Sequence, residues 1–61
     1  MKPLIKLLGH KEPQLRRRAA WALGELGPAA NKALGALKRR QGDRDESVQE
    51  TAKEAIGKIE G

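Results

Sequence analysis

A chain of 61 residues forms at most one small domain, and a domain of that size buries only about 60% of the surface its unfolded chain exposes. Its apolar content is mostly Ala and Leu, with no Phe, no Tyr and one Trp, so the core must be thin and built by close approach of helices, which leaves no room for a large cofactor pocket. The absence of Cys removes disulfides, thiolate metal sites and cysteine nucleophiles together and fits a reducing, cytoplasmic setting, while the net charge of +5 raises the question of an anionic partner.

In chain order, the first predicted helix runs from Pro3 to Leu8, with Leu4, Ile5, Leu7 and Leu8 as its apolar surface. Lys6 and Gly9 interrupt this run, which excludes the uninterrupted apolar segment of about 7 to 15 residues that a secretory signal needs. Nothing in the chain is apolar for long enough to span a membrane. Gly9 ends the first helix, and Pro13 suits the first turn of the second, predicted over Glu12 to Leu26. At about 100° per residue, Leu15, Ala19, Ala22, Leu23 and Leu26 share one stripe, whereas Arg17, Trp21, Gly24 and Glu25 fall away from it.

Gly27-Pro28 stops that helix and opens a third, predicted from Pro28 to Gln41 with Ala30, Ala33, Leu34 and Leu37 as its buried stripe. Lys38, Arg39 and Arg40 sit at its C-terminal end, where cations complement the helix dipole. The break from Gly42 to Ser47 then leads into a fourth helix, predicted over Arg44 to Ile59 and preceded by acidic groups that suit a helix start.

The second and fourth helices repeat one pattern. Leu15 corresponds to Val48, Ala19 to Ala52, Ala22 to Ala55, Leu23 to Ile56, Gly24 to Gly57 and Leu26 to Ile59, each pair 33 residues apart. The breaks correspond as well, Gly9 with Gly42, Lys11 with Arg44 and Glu12 with Asp45. A fixed period of this length marks a repeat architecture. Met1 aligns with Leu34 at the same offset, so the first helix is expected to be truncated relative to the third. The expected fold is all-α, a short, right-handed α-solenoid of about two helical hairpins, residues 1–27 and 28–61.

The string PLIKLLGHKEPQLRRRAAWALGELG resembles the HEAT-like repeats first described in phycobilisome lyases. The matching residues are Leu15-Arg16, Ala19-Ala20, Ala22-Leu23-Gly24 and Leu26-Gly27. The second copy departs from the pattern at Gln49, Lys53 and Glu60, and His10 stands where the family favours Asp. The resemblance implies a polar ladder between loop Asp and helix Arg residues. Here that reduces to a single cross-repeat pair, Arg16 with Asp43 or Asp45, because only one copy keeps each partner.

The helical wheel and the resemblance agree on where a partner would bind, namely the outer face of the second helix of each repeat. Those positions are Arg17, Arg18, Trp21 and Glu25, then Glu50, Thr51, Glu54 and Lys58. Trp beside Arg is the composition of binding hot spots, which points to a protein partner and a scaffold role. The competing reading is that Trp21 lids the edge of a thin core or packs on a neighbouring repeat. Fewer than two complete repeats, with apolar edges at Leu4, Leu7 and Leu8, also point to self-association or to adjacent repeats.

The alternative function is a small nucleic-acid-binding module. Residues 1–33 hold seven Lys or Arg against two acids, whereas residues 34–61 hold six of each. However, the consecutive residues Arg16, Arg17 and Arg18 fan around a helix and do not form one patch. Catalysis and cofactor binding have no support: His10 is the only His, expected as an exposed turn residue, and no carboxylate spacing matches an EF-hand or a metal site.

Overall fold

The structure, a computed structural model, describes residues 4–61. Its elements in order are α1 (Leu4–Leu7), α2 (Pro13–Leu26), a 3₁₀ segment (Gly27–Ala33), α3 (Leu34–Arg40) and α4 (Glu46–Glu60), with no strand among the described residues. The all-α solenoid-like reading stands. Pro3 as the start of the first helix, and the alignment of Met1, lie outside the described residues.

The third helix differs from the expectation of one α-helix from Pro28 to Gln41. Gly27 closes α2 at φ 62°, a left-handed conformation that a Cβ would oppose, and its N–H bonds the Gly24 carbonyl. Pro28 follows with no N–H to give, and Ala30 departs from helical geometry at φ −92°, ψ 21°. The chain therefore winds tightly before regular α-helix begins at Leu34. Ala30 and Ala33 are buried on the way, as the pattern required.

The helix starts use different chemistry. Asp45 caps α4, its carboxylate accepting from the Ser47 and Val48 N–H groups at 2.9 and 3.2 Å. The N-cap of α2 is Glu12, whose side chain caps nothing; Pro13 sets the first turn instead. Both starts lie within two residues of the expected ones.

The core is one cluster of small and medium residues, and α2 packs most extensively on α4. Leu8, Leu23, Leu37, Ile56 and Ile59 supply its bulk, each worth about 1.5 to 3 kcal/mol when buried, with alanines between them. The alanines let the helices approach. At Gly24 the approach is closest: a Cβ placed there would lie 2.9 Å from Ala55 Cα and 3.0 Å from its Cβ.

This contact corrects the wheel. Gly24 was expected outward and is buried, and Ala20 beside it is fully buried; Leu26, expected in the core, is 55% exposed. Leu15 and Ala22 are only half-buried, although their counterparts Val48 and Ala55 are fully covered. The cause is positional. α2 approaches α4 most closely at Gly24, with Ala20 one turn earlier also buried, which leaves the Leu15–Ala22–Leu26 stripe partly open. Leu8, expected at an apolar edge, is instead buried in the core, while Leu4 and Leu7 are half-covered at its rim.

Candidate functional site

The expected site residues lie on two helices, and α2–α4 packing brings most of them together. Arg17, Arg18 and Trp21 from α2 and Thr51 and Glu54 from α4 line one open groove. A smaller hollow continues it past Trp21, Gly24 and Glu54 to Lys58. The Gly24–Ala55 approach sets the groove's depth, because a side chain at Gly24 would force the helices apart.

Trp21 is 59% exposed, so its indole borders the groove and does not close the core. Thr51 is half-buried, and its hydroxyl donates back to the Ser47 carbonyl of its own helix at 2.7 Å. Arg17 reaches Ser47 only weakly, at 3.5 Å. Beyond the groove, Lys58 donates to Glu25 at 2.6 Å, and this bond and charge raise the lysine pKa above its usual range. These two residues are 33 apart, the repeat period, so the pair ties equivalent positions on α2 and α4. Glu50 is exposed and lines neither hollow.

The Arg triplet divides two ways. Arg17 and Arg18 face the groove, whereas Arg16 turns inward. Its Nε and Nη2 donate to the two Asp43 carboxylate oxygens at 2.7 and 2.9 Å, and its Nη1 donates to the His10 and Lys11 carbonyls at 2.7 and 3.0 Å. This fork joins the loop before α2 to the loop before α4. Asp43 also accepts from Arg40 at 3.3 Å and from the Asp45 N–H at 2.9 Å, and its own carbonyl accepts from the Gln49 side chain. Its carboxyl is accordingly held below the usual range, first by the Arg16 hydrogen bond against the opposing cost of burial. Arg16 pairs with Asp43 and not with Asp45, which is occupied in capping α4.

His10 is half-buried, not the exposed turn residue expected, because its Nδ1 accepts from the Glu12 N–H at 3.0 Å. Asp43, 33 residues later, accepts from the Asp45 N–H in the same way. His10 thus keeps the turn-forming half of the Asp role and lacks the carboxylate that would grip a guanidinium. Among the described residues, no cluster of three or more His, Cys, Asp or Glu is arranged to hold a metal ion, and no helix is long and apolar enough to cross a membrane.

No curated protein and no solved structure matches the chain. A family model of HEAT repeats matches residues 1–61, over the helical pairing, the loop-to-loop Arg–Asp fork and the glycine-mediated helix contact just described. The chain belongs to the HEAT repeat family.

Proposed function

We propose that this chain is a protein-interaction scaffold of two HEAT-like repeats, residues 1–27 and 28–61, of the phycobilisome-lyase type, binding through the α2–α4 groove. The observation that carries the reading is Trp21: a large indole 59% exposed beside Arg17, Arg18 and Glu54, over a floor of Thr51. Exposed Trp and Arg around one depression are what interface anchors are made of. The Lys58–Glu25 pair neutralises one end of the groove, so Arg17 and Arg18 dominate the other. The fitting partner is a protein segment that lays an apolar side chain on Trp21 and sets a carboxylate near the two arginines. HEAT repeats commonly serve as interaction scaffolds, and the half-open stripe of Leu15, Ala22 and Leu26 suits an adjacent repeat or a second copy.

The test is affinity capture with the wild-type chain and with Trp21→Ala, followed by direct titration of each protein that the substitution loses. Stability of the variant should stay within about 0.5 kcal/mol of wild type, as at an ordinary surface site, while affinity falls by a factor of about 30 or more, as for an interface anchor. Unchanged affinity for every captured protein would move the binding surface elsewhere.

A further inference from the structure

A second concentration of charge lies away from the groove. Where the two loops meet the end of α3, an open cleft of about 470 Å³ is lined by Lys11, Arg16, Arg39, Arg40, Arg44 and Asp43. Neither repeat supplies this set alone: Lys11 and Arg16 come from the first, and the other cations from the second. In sequence, residues 34–61 are neutral as a whole, so their contribution to a basic surface emerges only on folding.

The cleft contains five cations and one carboxylate, and that carboxylate is saturated. Asp43 accepts two bonds from Arg16, one from Arg40 and one from the Asp45 N–H. Arg16 is spent in return on Asp43 and on the His10 and Lys11 carbonyls. Lys11, Arg39 and Arg44 are exposed, and among the described residues none of them takes part in an ion pair. A neighbouring hollow lined by Lys6, Arg39 and Arg40 extends the same positive surface toward α1. Compensation of the α3 dipole accounts for little of this, because a helix end carries about half an elementary charge at most.

We propose that this cleft binds a linear polyphosphate, either free or as the tail of a nucleotide. Several cations around a concavity focus positive potential where a compact polyanion gains most. Guanidinium forks from Arg39 and Arg44 match phosphate oxygens in pairs, and Lys11 adds a point charge. No aromatic side chain lines the cleft, so nothing there stacks a base, and recognition is confined to the phosphates. The Asp43–Arg16 fork acts as the fixed back wall, holding both loops in place without contributing free charge. This site is independent of the α2–α4 groove, whose Trp21 lines neither basic hollow.

Calorimetric titration of inorganic tripolyphosphate into the chain, at low and at physiological salt, tests the proposal. Saturable binding is expected, with affinity falling steeply as salt rises. Arg39→Ala and Arg44→Ala should each weaken it about tenfold, the size of one charge-assisted hydrogen bond lost. Arg17→Ala with Arg18→Ala, in the groove, should leave it unchanged. A nucleoside triphosphate should bind within about threefold of tripolyphosphate, because only the shared tail is held. Failure of tripolyphosphate to bind at low salt would overturn the proposal, as would binding indifferent to Arg39 and Arg44. So would a nucleoside triphosphate preferred more than tenfold, or a short DNA duplex bound where tripolyphosphate is not. Circular dichroism of each variant keeps loss of binding distinct from loss of fold.

Discussion

Two glycines in equivalent positions show how much a single residue's meaning depends on its neighbour. Gly24 and Gly57 are 33 residues apart and occupy the same place in the repeat, yet Gly24 lies against Ala55, whereas Gly57 has nothing within 4 Å of where a Cβ would stand. Glycine inside a helix costs about 1 kcal/mol relative to alanine, so Gly57→Ala should stabilise the chain by about 0.5 to 1 kcal/mol. Gly24→Ala gains the same propensity but forces the helices apart, because the atoms it meets are backbone and a Cβ that cannot swing away. It should destabilise by about 1 to 3 kcal/mol, and thermal melts of the two variants should therefore move in opposite directions. Equal shifts of the same sign would place the close approach elsewhere. From the sequence, Gly24 looked like an outward position. The wheel weighs hydrophobicity, and glycine carries almost none, so its burial by backbone proximity leaves no trace in that pattern.

At the scale of elements, the joints between helices rest on carboxylates. Asp43 anchors the Arg16 fork and Asp45 caps α4, and both carboxyls sit below their usual range. Asp43 is lowered chiefly by the Arg16 side chain, and Asp45 chiefly by its hydrogen bonds with Ser47 and Val48. Their stabilisation is fully present above the ordinary aspartate pKa of about 3.9 and is lost as pH falls through the lowered folded values. Acid unfolding should therefore set in below about pH 4. Asp43→Asn should cost about 1 to 3 kcal/mol at pH 7, since it weakens the Arg16 fork in a site that is 2% exposed, and should flatten the loss of stability that sets in below about pH 4. Chemical denaturation across that range checks it, and an acid limb as steep as wild type would contradict it.

The Arg16–Asp43 pair was legible as one of two alternatives. What separated Asp43 from Asp45 was the capping geometry of α4, which spacing alone does not reveal. The 3₁₀ segment was not legible, because Gly27-Pro28 reads equally well as a break before an α-helix. Its tight winding comes from the conformation at Ala30 and from burial of Ala30 and Ala33.

For the whole molecule, the period of 33 residues carried the fold: it paired α2 with α4 and predicted an all-α helical repeat from the spacing of Ala, Leu and Gly, to which the motif resemblance added the HEAT-like expectation. It also located most of the groove, since outward positions on equivalent helices line up when the helices pack. It could not locate the basic cleft. Lys11, Arg39 and Arg44 come from separate segments, and only the stacking of one loop on another brings them together. The same stacking explains why Leu26 stays exposed while Ile59 is buried: equivalent residues see a neighbour on one side of the repeat and solvent on the other.

The emission of the single Trp tests the groove reading most directly, because Trp21 reports on that surface alone. In the free, dilute chain it should emit as a water-exposed indole, consistent with 59% exposure, and should remain there when tripolyphosphate is added. On addition of a protein whose capture depends on Trp21, the emission should shift to the blue as the ring is covered. A blue-shifted maximum already present in the free chain, or one that does not move when such a partner binds, would contradict the assignment of Trp21, Arg17 and Arg18 to an interaction surface.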